Sequence, residues 1–293
     1  YKRQRLAFEE LFYMQAGLQI LRRNREKNTA GIKCMPSGEL VRSVIGEFPF
    51  TLTKGQKQAF ADIEDDMEGK VPMQRLIQGD VGSGKTAVAA LALAKIVENG
   101  YQGALMAPTE VLASQHFKTF QKIFSNLSVK VGYLSGQTKT GDRKEILSQL
   151  CHGDINILIG THALLEKDVL FSDLGLVITD EQHRFGVKQR RALEDKGEMP
   201  HVLIMTATPI PRTMALSVYG DLDVSSIKGL PPGRKPVKTY AIRHDMLPRI
   251  FRFMEKEITA GHQVYVVCPL VEESEKQDLA AAVSVYRNLK EKI

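Results

Sequence analysis

The sequence predicts an α/β protein built on a mostly parallel sheet, preceded by a long helix and followed by the start of a second α/β unit. Three observations carry this. From about residue 46, short apolar runs rich in β-branched residues alternate with helical stretches. One run, Arg75-Leu76-Ile77-Gln78, feeds a glycine-rich turn that opens a helix. A stretch dense in proline and glycine, residues 229–236, then separates a shorter α/β segment from the rest.

In chain order, residues 3–28 read as one amphipathic helix, roughly 38 Å long at helical rise. Leu6, Leu11, Met14, Leu18 and Leu21 recur at three- to five-residue spacing, with Phe8 and Phe12 beside them. Its basic face reads as a solvated face, with contact to nucleic acid as the sharper alternative. Strands are expected at 75–78, 104–107, 129–134, 155–159, 174–179 and 202–206, with helices between most of them. Ala87 to Val97 is rich in Ala and Leu, and Gly100 is placed to end that helix. Beyond the 229–236 linker come a strand at 237–242, a helix at about 246–259, a strand at 263–268 and a helix from about Glu275. The domain organisation is therefore a helical lead-in (1–45), a main α/β domain (46–228), a linker (229–236) and the beginning of a second domain (237–293). The chain opens Tyr1-Lys2-Arg3 without a Met, which reads as a piece of a longer protein.

Composition excludes several classes. Hydrophobic content of 43% and charged content of 25% are those of an ordinary globular protein. No run of 18 apolar residues appears, so no membrane helix is expected. Cys34, Cys151 and Cys268 form no C-x-x-C pair, which argues against a zinc site and fits a reducing cytoplasm. Of the net charge of +6, five units fall within residues 1–35, which hold eight basic and three acidic residues. The remainder is nearly neutral, so nucleic-acid binding would depend on local patches.

The chemistry begins at Gly79-Asp80-Val81-Gly82-Ser83-Gly84-Lys85-Thr86, which fits G-x-x-x-x-G-K-[ST]. The glycines let consecutive backbone amides turn toward one anion. Lys85 supplies a compact positive charge for β- and γ-phosphates, and the Thr86 hydroxyl suits Mg²⁺. A strand before and a helix after satisfy the context this motif requires. Downstream, Leu176-Val177-Ile178-Thr179 delivers Asp180-Glu181-Gln182-His183 at a strand's carboxyl end. Two acids following a phosphate loop suggest divided labour: Asp180 for Mg²⁺, Glu181 to orient and deprotonate water. Leu134-Ser135-Gly136-Gln137 lacks one glycine of the transporter signature L-S-G-G-Q, and a strand followed by a Ser-Gly turn explains it.

A phosphate loop, then D-E-x-H, then Thr206-Ala207-Thr208 resembles the superfamily 2 helicases and translocases. Phe50-Thr51-Leu52-Thr53-Lys54-Gly55-Gln56 is similar to their adenine-reading Q motif, with Gln56 as the glutamine. The segments beginning Ala107-Pro108-Thr109 and Gly160-Thr161-His162 resemble motifs that meet the nucleic-acid strand. The strings GDVGSGKT, APTEVLA, DEQHRFGV, TATPIPRT and LPPGRKP resemble the bacterial fork-remodelling DNA translocases over nearly the whole chain. The transcription–repair coupling translocases are the nearest alternative, and a non-catalytic, nucleotide-gated binding module is the alternative from another class.

The resemblance implies a RecA-like P-loop NTPase domain, ATP and Mg²⁺ as ligands, and branched double-stranded DNA (forks, Holliday junctions) as partner. It implies a monomeric motor of the bacterial cytoplasm, acting in recombination and repair. His183 and Gln182 would sense the γ-phosphate. Thr206 and Thr208 would couple hydrolysis to movement, and Thr109 and Thr161 would lie near the DNA backbone. Arg212 would touch DNA or the facing domain. The family's late Q-x-x-G-R-x-G-R motif, source of an arginine finger, is absent from the 293 residues. These residues alone are therefore expected to bind ATP weakly and hydrolyse it slowly.

Overall fold

The computed structural model describes residues 5–20 (except 7, 14 and 18), 31–181, 192–208, 222–228, 237–268 and 282–292. The chain divides into two compact units, 1–234 and 235–293.

In the first unit, helix α1 covers the described residues between 5 and 20. Helices α2 (Glu39–Glu47) and α3 (Lys54–Met67) follow. Then come β1 (Gln74–Gly79), α4 (Lys85–Glu98), β2 (Gln102–Met106), α5 (Glu110–Phe124), β3 (Val131–Leu134), α6 (Thr140–Cys151) and β4 (Ile157–Gly160). A 3₁₀ turn at His162–Leu165 leads to β5 (Leu174–Asp180), β6 (His201–Thr206) and β7 (Asp223–Ile227).

The strands form one sheet in the order β3-β4-β2-β5-β6-β1-β7, and every pairing is parallel. Strands β5 and β6 thus lie between β2 and β1. Parallel strands must be buried on both faces, which explains why β4, β5 and β6 read as unbroken apolar runs. On one face Ile77, Leu105, Ile178 and Leu203 pack under α2 to α5; on the other, Ala104, Leu158 and Val177 meet Leu150 of α6 and Leu164. Helix α4 is buried from Ala87 through Ile96, which its many alanines permit. A Cβ on Gly103 would collide with the Leu93 side chain, so glycine lets α4 sit close on β2.

Lys95 of α4 is wholly buried. Its ammonium donates to the Met35 carbonyl (3.1 Å), Ser37 Oγ (3.2 Å) and Glu68 Oε1 (2.7 Å). One turn on, the Glu98 carboxylate accepts from the amides of Gly38 and Leu40, both at 2.7 Å. Glu98 thereby caps α2, whose own Gly38 offers no side chain. These bonds lash residues 35–40 to the phosphate-loop helix. Cys34 is buried beside them, and burial pushes its thiol up to about 11, which makes it inert.

The sheet bears out the expected α/β class and exceeds it, since no antiparallel pairing occurs among the described strands. β7 is a strand the sequence pattern did not announce; its Asp223-Val224-Ser225-Ser226 stretch is too polar. Ser225 is held by Arg75 Nη1 (2.8 Å), so a side-chain network seats this edge strand on β1.

In the second unit, α7 (Leu247–Thr259) and α8 (Ala282–Lys292) appear where helices were expected. The expected strands 237–242 and 263–268 do not form. Val237, Tyr240, Tyr265 and Val267 are largely exposed. A strand needs a hydrogen-bonded neighbour and a covered face, and neither run has one among the described residues. The 229–236 linker lies outside the described residues.

Candidate nucleotide site

Gly79 ends β1, and α4 begins at Lys85 with Gly84 as its N-cap at φ +87°. Gly82, at φ +79°, also occupies the left-handed region. A Cβ on Gly84 would strike the Gln56 amide, so the turn requires glycine on two counts. Helix α4 has no capping side chain and no acid in its first turn. Its first amides and the positive end of its dipole therefore remain for an external anion.

Lys85 curls over this loop. Its ammonium donates to the carbonyls of Gly79 (2.6 Å) and Asp80 (3.2 Å). Burial lowers its pKa, while Asp180, Glu181 and Asp80 pull it back up through charge. Asp80 and Val81 line the outer turn, where Asp80 Oδ1 accepts from the Val81 amide (2.7 Å). Ser83 is buried, and its amide returns to the Asp80 carbonyl (3.0 Å).

Strands β5, β6 and β1 are neighbours, so Asp180, Thr206 and Gly79 lie side by side along one sheet edge. Asp180 and Gly79 are two strand spacings apart, roughly 10 Å. Glu181 sits at φ +51°, a conformation few non-glycine residues adopt. Its amide bonds the Met205 carbonyl (2.9 Å), and its Oε1 accepts from the Ala207 amide (3.1 Å). Glu181 is therefore pinned to the Thr206–Thr208 turn. Within that turn the two threonine hydroxyls are 2.8 Å apart, and the Thr208 amide donates to Thr206 Oγ1 (3.2 Å).

Thr86 and Asp180 offer a hydroxyl and a carboxylate, hard oxygen donors of the kind Mg²⁺ prefers. No cluster of three or more acid, His or Cys side chains able to hold a metal occurs among the described residues. That donor set fits a Mg²⁺ held largely by substrate phosphates and water rather than by a protein cage.

Three predicted residues are placed in ways the sequence did not convey. Gln56 lies 4% exposed in α3, and its amide is engaged at both ends. Oε1 accepts from the Thr53 amide (2.8 Å), and Nε2 donates to the Ser83 carbonyl (2.8 Å). The first bond belongs to a capping box with Thr53; the second ties α3 to the phosphate loop. Thr109 is the N-cap of α5, its hydroxyl accepting from the Leu112 amide (3.3 Å). Thr161 follows β4, but its hydroxyl is buried without a partner among the described residues. The Ser83 and Thr179 hydroxyls share that condition. Gln182, His183 and Arg212 lie outside the described residues. The Ser135–Thr138 segment is a side-chain-stapled turn after β3, as its sequence suggests.

His116 was missed. It projects from α5, and its Nε2 lies 2.8 Å from Asp180 Oδ2 with both residues buried. The available signal was a polar residue inside the apolar stripe Ala113-His116-Phe120-Phe124, all buried on one helix face.

Known proteins bear on this arrangement. RecG of Bacillus subtilis, an ATP-dependent DNA helicase, is 50% identical over 98% of the chain. RecG of Thermotoga maritima, named likewise, is 48% identical over 99%. The chain spans about two fifths of the length of these relatives, 42% and 37% respectively. A solved structure of RecG bound to a three-way DNA junction superposes with a TM-score of 0.83 at 44% identity, covering 99% of this chain and 38% of that one. The helicase MrfA, solved with DNA and AMPPNP, shares only the fold: TM-score 0.57 at 18% identity, covering 78% of this chain and 36% of that one. A model of the DEAD/DEAH box helicases matches residues 53–216. Because that match runs from the capping threonine of α3 past the Thr206–Thr208 turn and takes in the loop and both acids between them, the chain belongs to the DEAD/DEAH box helicase family.

Proposed function

We propose that this chain forms the ATP-hydrolysing part of a RecG-like DNA translocase that remodels branched duplex DNA. One observation carries the hydrolytic half: Asp180 at the end of β5, Thr206 at the end of β6 and Gly79 at the end of β1 stand on adjacent strands at one end of the sheet, so phosphate cradle and acids serve one nucleotide. The DNA half rests on likeness to RecG, including a RecG bound to a three-way junction.

The loop amides of Gly82 and of 84–86 bind the phosphate tail, and phosphate oxygens replace the two loop carbonyls on the Lys85 ammonium. Thr86 and Asp180 would hold Mg²⁺, which would supply neutralisation of phosphate charge. Glu181 accepts a proton from the attacking water. Its bond to the Ala207 amide makes the Thr206–Thr208 turn the first element to register that event. Gln56 acts on nucleotide through the loop, by holding the Ser83 carbonyl, and keeps one N–H and one lone pair for a base. Thr109 and Thr161 follow β2 and β4, at the same end of the sheet, and lie near the DNA backbone. Gln182 and His183 report loss of the γ-phosphate.

The test is steady-state ATPase of the full chain on forked, Holliday-junction and linear duplex DNA, with the chain joined to its remaining domains for comparison. Greater stimulation by branched DNA than by linear duplex is expected. Equal stimulation by both would reject branched DNA as the substrate, and absent ATPase in every form would reject the enzyme.

A further inference from the structure

We propose that His116 is a positioning residue for ATP hydrolysis: it locks the Asp180 carboxylate in the orientation from which its second oxygen faces the phosphate loop. The inference rests on the ATPase reading above and adds a residue to it.

The contact is 2.8 Å between His116 Nε2 and Asp180 Oδ2, with the side chains 11% and 12% exposed. An ionised carboxylate has only acceptors, so Nε2 carries the hydrogen and donates it. Asp180 ends β5, where its side chain leaves the sheet on the face covered by α4 and α5. A carboxylate there, without a donor, would sample several rotamers and present either oxygen. With Oδ2 occupied by His116, Oδ1 is the oxygen left for the metal.

His116 is itself immobilised. Its ring packs edge-on against Phe120, with centroids 6.3 Å apart, and Phe120 stacks on Phe124. Helix α5 is fixed at its start by the Thr109 cap and buried along the stripe that includes His116. Histidine suits the position because it combines a flat apolar body with one directed donor. Groups that bond a ligating side chain from behind set its orientation, and their loss typically weakens metal affinity or activity by about 10- to 100-fold.

Two substitutions separate this role from mere packing. His116→Phe keeps the ring against Phe120 and removes the donor. His116→Gln keeps an N–H at similar reach and removes the ring. Binding of a fluorescent, non-hydrolysable ATP analogue to the full chain is measured across Mg²⁺ concentrations, with thermal melting alongside. Unsubstituted protein should bind the analogue more tightly with Mg²⁺ than without it. His116→Phe should raise the half-saturating Mg²⁺ by about 10-fold or more while leaving Mg²⁺-free binding nearly unchanged and the protein cooperatively folded. His116→Gln should recover most of the loss, and His116→Phe should add nothing in an Asp180→Asn background. An unchanged Mg²⁺ requirement in His116→Phe, or equal defects in both single variants, overturns the positioning role. Absence of any Mg²⁺-dependent binding by the unsubstituted chain overturns the ATPase reading, and this inference with it.

Discussion

Lys85 is held by the backbone it serves: two carbonyls of its own loop grip the ammonium that will meet phosphate. Lys85→Ala removes that charge, and nucleotide affinity should fall below detection in a fluorescence titration. Gln56 illustrates a different economy of side-chain bonds. One amide completes a helix cap and braces the loop carbonyl of Ser83. Gln56→Ala breaks both bonds, at about 1 kcal/mol each, so the melting midpoint should drop by roughly 4–8 °C. Affinity for nucleotide should weaken in parallel; an unchanged midpoint would show that the brace contributes nothing. The motif spacing made Lys85, Asp180 and Glu181 legible from sequence. It did not reveal that Gln56 reaches the loop, since residues 56 and 83 meet only after α3 docks on α4. Nor did it reveal the left-handed Glu181, because the strain there is imposed by contacts with Met205 on β6 and with Ala207 just after it.

Elements carry the site by presenting residues at their ends. Helix α4 offers its uncapped start to phosphate and its far end to residues 35–40. Strand β6 begins at His201, wholly buried, with Nδ1 accepting from the Met73 amide (2.9 Å). Burial drives the His201 pKa from 6.5 down to about 4. A folded value below the unfolded one means stability is full above pH 6.5 and is lost as pH falls toward 4. The loss across that window is about 3 kcal/mol. Chemical denaturation at pH 7 and pH 4.5 should register it, and His201→Asn, which keeps an acceptor for Met73, should flatten the profile. Apolar runs made six strands of the first unit legible to within about two residues at either end, because buried parallel strands write themselves as hydrophobic blocks. β7 was not legible, being an edge strand seated by Arg75 and Ser225 rather than by apolar burial. The runs at 237–242 and 263–268 have strand composition without strand partners, and composition alone cannot supply a ladder.

At the scale of the whole molecule, the parallel sheet converts sequence order into a row of functional ends. Loops after β4, β2, β5, β6 and β1 emerge on one edge in that spatial order. The proposed DNA contact at Thr109 thus adjoins Asp180, with Thr161 one strand further out, and the phosphate loop lies one strand beyond the Thr206–Thr208 turn that the acids meet. Charge does not organise this edge: most of the net positive charge lies within residues 1–35. Salt should therefore weaken DNA binding less steeply when those residues are removed, as a titration of affinity against salt concentration would show. The central claim is that the loop and the two carboxylates make one hydrolytic site, with Glu181 activating water rather than holding nucleotide. Single-turnover hydrolysis of ATP with excess protein, run beside nucleotide binding for Glu181→Gln, tests it most directly. The account predicts affinity within about 3-fold of the unsubstituted chain and hydrolysis slowed by about 100-fold or more; hydrolysis at the unsubstituted rate, with binding intact, would contradict it.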